Sequence, residues 1–192
     1  MALMVIACFI GTVGAQDTHR YNVYGKAGYG STSEDEGPLG NGALWGIGFA
    51  ARAGRSWELG IEIDRQRNNR PGEPGTFFHQ GHTTTAAGIA RHFWRDAGVR
   101  PYVCLGLAYA QMTADRGFNA SAFDPGFRRT GTQHFWGPDL GVGLKIPVGS
   151  RLSLQPEARL FWGGSGNYDP FDDIVEPPLI LGSFAAVLSY RW

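Results

Sequence analysis

Histidine, serine and carboxylate side chains are the residues of this sequence that could perform nucleophilic or acid–base chemistry. A hydrolytic serine needs a histidine that polarises it and a carboxylate that orients this histidine. The histidines in the main part of the chain are His79, His82, His92 and His134. Ser31 and Ser33 have no histidine near them in sequence, and the stretch HQGHT (79–83) offers a threonine instead of a serine. We therefore expect a protein that is not an enzyme.

Ligands for a metal or a cofactor are also sparse. His79 and His82 lie three residues apart, but no carboxylate lies beside them to complete a metal site. Asp169, Asp172 and Asp173 form an acidic run without the spacing of a calcium-binding loop. Binding of a divalent cation by these carboxylates stays open as an alternative. Otherwise the sequence predicts neither a metal nor a cofactor.

The bulk composition narrows the class of protein. The 17 basic and 17 acidic residues balance, whereas a nucleic-acid-binding domain would carry a basic excess. The 29 glycines and the 13% of aromatic residues are typical of β structure with close backbone approaches. We therefore expect an all-β domain that does not bind nucleic acid.

The N-terminal stretch MALMVIACFIGTVGA (1–15) has the apolar run and the small-residue end of a secretory signal peptide. We expect its removal, which leaves residues 16–192 as one β-barrel domain. Cys104 is then the one cysteine of the mature chain, so no intramolecular disulfide can form. Two alternatives stay open, namely a buried first element and a lipid attached to Cys8.

Period-2 alternation of apolar and polar residues recurs eight times, whereas helical periodicity is hard to find. In WELGIEID (57–64), four apolar residues alternate with Glu58, Gly60, Glu62 and Asp64. The eight predicted strands cover residues 21–31, 43–52, 57–64, 84–94, 101–112, 135–148, 151–162 and 179–192.

The connections between these strands alternate in length. Short turns occupy residues 53–56, 95–100 and 148–150, and long polar stretches occupy residues 32–42, 66–82, 113–134 and 163–178. All short turns then lie at one end of an up-and-down meander, and all long loops lie at the other end. This is the arrangement of an eight-stranded antiparallel transmembrane β-barrel. A secreted, soluble, lipocalin-like barrel that binds a ligand inside is the alternative.

Charged residues fall in mid-strand on the glycine-rich face, which suits the narrow inside of an eight-stranded barrel. The predicted lumen charges are Lys26, Arg52, Glu58, Glu62, Asp64, Arg91, Asp139, Lys145, Glu157, Arg159 and Arg191. Because unpaired buried charges are costly, we expect a network of salt bridges that fills the lumen. A narrow ion path through the same network is the alternative.

The opposite face carries aromatic residues near the strand ends, where amphipathic rings suit the two interfaces of a membrane. These predicted interface residues are Tyr21, Tyr29, Trp45, Trp57, Tyr109, Trp136, Trp162, Tyr190 and Trp192. The final strand FAAVLSYRW (184–192) alternates to its last residue. Its pairing with the first strand would remove both sheet edges.

The eight-strand plan resembles the small outer-membrane β-barrel family that includes the OmpA transmembrane domain and OmpX. The segment GIARHFWRDAGVRPYVCLGLAYA (88–110) is similar to that family's Gly-x-x-Arg-aromatic strand, short turn and Pro-Tyr-Val strand. The resemblance implies a bacterial outer-membrane location with both termini in the periplasm. It also implies that the assembly machinery for barrels reads the C-terminal aromatic strand.

We expect a structural or surface-interaction role through the outer loops. Partners would be outer-membrane lipid and lipopolysaccharide, whose phosphates could bind the loop arginines Arg67, Arg70, Arg116, Arg128 and Arg129. An extracellular protein could contact the loop phenylalanines Phe77, Phe78, Phe118, Phe123, Phe127 and Phe171. A lipid A-modifying enzyme is an alternative, although the His-x-Ser pair of lipid A deacylases is missing.

Overall fold

Eight antiparallel strands follow the alternating segments of the sequence. The computed structural model describes residues 20–34, 37–70, 77–94, 98–118, 127–164 and 178–192. The strands are β1 (Tyr21–Glu34), β2 (Gly37–Arg52), β3 (Trp57–Arg70), β4 (Phe77–Phe93), β5 (Arg100–Phe118), β6 (Phe127–Pro147), β7 (Leu152–Gly163) and β8 (Leu179–Arg191). The predicted signal peptide, the acidic run at 169–173, and Phe123 and Phe171 lie outside the described residues.

The strands close into a barrel in chain order, and β1 pairs with β8. The β1–β8 ladder runs from Asn22 opposite Arg191 to Ser33 opposite Ile180. Beyond it, the Trp192 amide donates a hydrogen bond to the carbonyl oxygen of Tyr21 at 3.2 Å. No sheet edge is left along the closed part, so the backbone groups are paired within the barrel. The predicted eight-stranded antiparallel barrel is confirmed.

At the barrel end that carries the long connections, the strands are longer than the sequence predicted. The prediction of loops over 32–42, 66–82 and 113–134 was wrong for most of these residues, which lie in β1 to β6. The apolar alternation ends there, but the hydrogen-bonded ladder continues through polar cross-strand pairs. Thr113 and Thr132 share a side-chain hydrogen bond of 3.0 Å, for example. Polar pairs of this kind support a hairpin in water, where burial of one face is not required.

The short connections at 53–56 and 148–151 are tight turns. Between β2 and β3, Gly54 has a φ of 83°, and before β5, Gly98 has a φ of 71°. Both values lie in the left-handed region that glycine adopts at no steric cost. The turn after β6 is closed by the Val148 amide, which donates to the carbonyl oxygen of Leu152 at 3.0 Å. The two described turns join β2 to β3 and β6 to β7 at the same end of the barrel.

The outward face of the sheet is apolar and charged side chains point inward, which is the reverse of a soluble barrel. Ile47, Leu107 and Phe184 point outward and are about two-thirds exposed, whereas Glu62 and Glu157 point inward and are buried. A lipocalin-like barrel would place apolar side chains around its ligand and polar ones outside. The observed distribution therefore argues against that alternative.

In the part of the chain that the structure describes, no helix is long and apolar enough to span a membrane.

Gly137 on β6 marks a close approach of neighbouring backbones. A Cβ atom at this position would overlap the carbonyl oxygen of Trp162 on β7, whereas a Cβ at Gly25 on β1 would meet nothing within 4 Å. We expect Gly137→Ala to lower the free energy of unfolding by about 1–3 kcal/mol through overpacking. Gly25→Ala serves as the matched control and should leave stability nearly unchanged. Urea titration of the detergent-folded barrel measures both, and equal midpoints for the two variants would contradict the packing argument.

Candidate functional site

Glu62 on β3 lies at the centre of the charged interior. Its carboxylate accepts a hydrogen bond from Tyr24 Oη at 3.0 Å and forms ion pairs with Lys26 at 3.0 Å and Arg91 at 3.2 Å. Arg159 on β7 forms a fourth contact with the same carboxylate. Alternation brings these side chains together, because β1, β3, β4 and β7 each present one face to the lumen.

Arg91 on β4 links Glu62 to the far wall of the barrel. Its guanidinium donates to Glu62 Oε2 at 3.2 Å, to Tyr24 Oη at 3.2 Å and to Glu157 Oε2 at 3.4 Å. It also lies 4.8 Å from the centroid of the Tyr24 ring, in cation–π geometry. Tyr102 on β5 donates to Glu157 at 2.8 Å. The network thus spans the full width of the lumen.

Two further carboxylates complete the central cluster. Asp139 on β6 accepts two hydrogen bonds from the Arg159 guanidinium, one of them from Nε at 3.2 Å. Asp64 on β3 pairs with Lys26. The described central cluster therefore holds three cations and four carboxylates, and its ion pairs are charge-assisted and largely dry.

A second ion pair lies nearer the short turns. Lys145 on β6 donates to Glu58 on β3 at 2.5 Å, and its ammonium lies 5.1 Å from the centroid of the Phe93 ring. The structure places Arg52 and Arg191 outside the central cluster, half-buried at the rim of this end. Arg52 donates to the carbonyl oxygen of Arg55 at 3.1 Å.

Uncharged side chains fill the interior towards the long hairpins. On the β1–β4 side, the Asn68 amide donates to Thr83 at 2.7 Å and accepts from Thr32 at 2.6 Å, and Gln66 donates to Thr32 at 2.9 Å. On the β4–β8 side an apolar cluster includes Met112, Phe135, Phe161, Leu179 and Leu181.

These layers leave little room for water. Side chains that line an open aqueous pore are accessible to solvent, but the exposed fraction is 0% for Met112, Phe135 and Asn68 and 1% for Glu157. A cavity of about 30 Å³ lies between Asp64, Asp139 and Arg159, which is space for about one or two water molecules. The described interior is therefore a filled lumen.

The nine predicted interface aromatics all point away from the lumen, eight of them exposed and Tyr109 half-buried. At the short-turn end, the rings of Tyr21 and Trp192 lie 6.3 Å apart, centroid to centroid. At the other end, Tyr109 and Trp136 lie 4.6 Å apart. The apolar side chains exposed between the two groups form a belt around the barrel.

Two arginines lie just beyond this belt on the outward face of β3. Arg65 is opposite Trp45 and Arg67 is opposite His82, and both arginines are exposed. From Trp57 to Arg65 the strand covers about 26 Å. Because strands of such barrels are tilted by about 40° from the barrel axis, this is about 20 Å along the axis.

Partial burial and then the positive charge of Arg65 lower the pKa of His82. This shift favours the neutral form of the His82 ring.

The histidines do not form a catalytic or metal site among the described residues. His92 lies outside, with its ring 4.6 Å from that of Trp57, and His134 contacts the hydroxyl of Tyr109. The side chain of His79 lies outside the described set. Within the described part of the chain, no group of three or more His, Cys, Asp or Glu side chains could hold a metal ion. Cys104 is a buried free thiol in mid-strand.

Sequence reasoning missed the uncharged half of the interior. Tyr24 shares the parity of Lys26 on β1, and Phe135 shares the parity of Asp139 on β6. Every second residue counted from an inward charged residue also points inward, and this rule would have identified Tyr24 and Phe135. The partners of these side chains across the lumen depend on the stagger of the strands and were not readable from one chain.

Comparison with known proteins places this barrel among bacterial membrane proteins. The sequence matches the family described as outer membrane protein beta-barrel domain over residues 1–188. No curated protein matches the sequence.

Several solved structures have a similar fold. Neisserial surface protein A is 16% identical, with a TM-score of 0.65, and the alignment covers 90% of this chain and 97% of that one. A major outer membrane protein from Thermus thermophilus is 14% identical, with a TM-score of 0.63 and coverage of 92% and 100%. The attachment invasion locus protein Ail of Yersinia pestis is 12% identical, with a TM-score of 0.57 and coverage of 91% and 99%.

Removal of the charge of Glu62 should show which carboxylate the interior depends on. Glu62→Gln leaves a second carboxylate beside each of its cations, since Lys26 keeps Asp64, Arg91 keeps Glu157 and Arg159 keeps Asp139. Glu58→Gln is the matched variant that leaves Lys145 without its described carboxylate partner, and loss of one partner of a buried pair costs about 3–5 kcal/mol. We expect Glu58→Gln to lower the free energy of unfolding in urea more than Glu62→Gln does. The reverse order would show that the shared carboxylate of Glu62 matters more than its replacements can compensate.

Proposed function

This chain belongs to the family of outer membrane protein β-barrel domains, and on this premise we propose a closed, non-catalytic barrel that presents its long hairpins outside the cell. The filled lumen is the observation that carries the proposal. Ion pairs fill the middle of the interior, and a polar amide–hydroxyl cluster and an apolar cluster fill opposite sides of it towards the long hairpins. A barrel of this kind holds its hairpins in position and does not form an open pore.

We place the short turns and both termini in the periplasm. The support is the difference between the two ends, since the short connections at 53–56 and 148–151 contrast with hairpins such as β5–β6. Membrane barrels have short periplasmic turns and longer outer loops. In this orientation β8 would carry Tyr190 and Trp192 at the periplasmic interface, where the barrel-assembly machinery could read the final strand.

The hairpins of β4, β5 and β6 form the proposed contact surface. β6 has 21 residues whereas β7 has 12, so the β5–β6 hairpin stands well above β7. Ail of Yersinia pestis, which shares this fold, has been crystallised with the heparin analogue sucrose octasulfate. A surface ligand with several anionic groups would suit Arg65 and Arg67 of this chain.

Lipopolysaccharide phosphates are the nearest such anions in an outer membrane. Of the five arginines predicted for this contact, Arg67 has a described side chain; those of Arg70, Arg116, Arg128 and Arg129 lie outside the described set. Arg65 joins Arg67 on the same face and lies level with Trp45. Guanidinium groups at this height would meet lipid phosphates through paired, charge-assisted hydrogen bonds.

A closed lumen predicts negligible conductance. The purified barrel, inserted into a planar bilayer, should give no steady current above that of the bare bilayer. A narrow ion path would instead give steady openings whose size changes in Glu62→Gln or Arg159→Gln. Current of that kind in the natural protein would overturn the closed-barrel proposal in favour of conduction.

Changes at Arg65 and Arg67 test the anionic contact. We expect Arg65→Gln/Arg67→Gln to weaken binding of lipopolysaccharide to the detergent-folded protein about tenfold or more, because charge-assisted hydrogen bonds contribute about 1.5–3 kcal/mol each. Thermophoresis of the labelled protein measures the affinity. Arg151→Gln, an exposed arginine at the other end, is the control and should bind as the natural protein does. If dephosphorylated lipopolysaccharide binds equally well, phosphate is not the group recognised.

A further inference from the structure

His82 on β4 lies on the outer wall of the barrel beside the two arginines of the proposed anion contact. It is half-buried and lies directly opposite Arg67 on β3, while Arg65, opposite Thr84, is its diagonal neighbour. On one face of an antiparallel pair, the Cβ atoms of opposite residues are about 5 Å apart, and diagonal neighbours are about 7–8 Å apart. The imidazole and both guanidinium groups can therefore reach the oxygens of one tetrahedral anion.

The β3 side of this group carries positive charge without a matching carboxylate. Arg65 and Arg67 are both exposed, and among the described residues no carboxylate forms an ion pair with either of them. Their outward neighbours on β2, namely Trp45 and Asn41, carry no charge. An anion from outside the chain is therefore the counter-charge that suits these two arginines.

The β5 side of His82 offers one carboxylate, and that carboxylate is engaged elsewhere. Thr113 lies directly opposite His82, and Gln111 and Asp115 are its diagonal neighbours on β5. The Asp115 carboxylate accepts a hydrogen bond from Thr130 on β6. His82 thus faces two cations on one side and an occupied carboxylate on the other.

The protonation of His82 is coupled to occupancy of the contact. Partial burial and the positive charge of Arg65 lower the pKa of His82, so the neutral ring is favoured while the contact is empty. A bound anion would offset the charge of both arginines and favour the protonated ring. Binding of the anion then takes up a proton, and by linkage the affinity rises as the pH falls.

We propose that His82 is the third ligand of a lipopolysaccharide phosphate held by Arg65 and Arg67, and that this contact strengthens on acidification. The inference rests on the proposed function, because it adds a residue and a regulation to the same contact. A protonated imidazole donates from both ring nitrogens, so it supplies a charge-assisted hydrogen bond that neutral histidine lacks. A glutamine at the same position could donate a hydrogen bond but could not gain a charge.

A sulfated probe tests the proposal, because its own charge is constant over the range in which histidine titrates. A phosphate monoester gains a proton near pH 6, which would oppose the expected trend, whereas a sulfate ester stays ionised. Sucrose octasulfate is titrated into the detergent-folded protein at about pH 8 and about pH 5, at equal ionic strength, and thermophoresis gives the affinity. We expect about fivefold tighter binding at the lower pH, since a pKa rise of one unit on binding permits at most a gain of about tenfold.

Matched variants assign this gain to one histidine. His82→Gln should lose the gain, so its affinities at the two pH values should be nearly equal. His92→Gln changes the other end of the barrel, and His134→Gln changes the ring that contacts Tyr109 on the outer wall, so both should keep the full gain. A faster-moving unheated band on SDS gels confirms that each variant has folded.

Displacement of the probe identifies the natural anion. Lipopolysaccharide should displace sucrose octasulfate from the natural protein, whereas dephosphorylated lipopolysaccharide should not. Equal displacement by the two forms would show that phosphate is not the group recognised, which would overturn both this proposal and the proposed contact.

Two results would overturn the role of His82 and leave the contact at Arg65 and Arg67 intact. The natural protein could bind the probe equally well at both pH values, or the gain at low pH could survive in His82→Gln. The proposed contact itself would fail on a different result, namely unchanged binding of the probe by Arg65→Gln/Arg67→Gln at about pH 8. The two failures are therefore distinguishable in one set of titrations.

Discussion

The closure of β1 against β8 is the constraint on which the rest of this structure depends. Hydrocarbon offers no partner for a backbone amide or carbonyl, so a sheet within a membrane must pair every strand on both sides. Closure with eight strands then fixes a narrow lumen and divides each strand into an inward and an outward face. The outward face must be apolar over the thickness of the bilayer, so the polar side chains are left to the inside.

Polar residues inside a narrow lumen must satisfy one another. Five carboxylates and four cations are buried there, and each cation of the central cluster contacts at least two carboxylates. Glu62 has the most demanding position, because three cations and the Tyr24 hydroxyl share its two oxygens. Such a network favours one stagger of the strands over others, since a shift of one strand by one residue would turn the charges of that strand towards lipid.

Alternation in the sequence was sufficient to predict the strand count, the closure and the inward face of most strands. Residues such as Glu62 and Asp64 identify the inward face of β3 because charges cannot face lipid cheaply. The ends of the strands were not predictable, because polar hairpins such as β5–β6 leave the membrane and lose the apolar signal while their ladder continues. Contacts across the lumen could not be predicted either, because the tilt and stagger of β4 and β7 bring Arg91 to Glu157.

The exposed charges follow a different rule from the charges inside. Interior charges contact opposite charges directly, as Lys145 and Glu58 show, because a low dielectric penalises an unpaired charge. Arg55 and Arg151 on the short turns are exposed, so water and salt screen their charges and no buried partner is required. The formal net charge of zero hides this separation, which becomes visible once each charge is assigned to the lumen or to the surface.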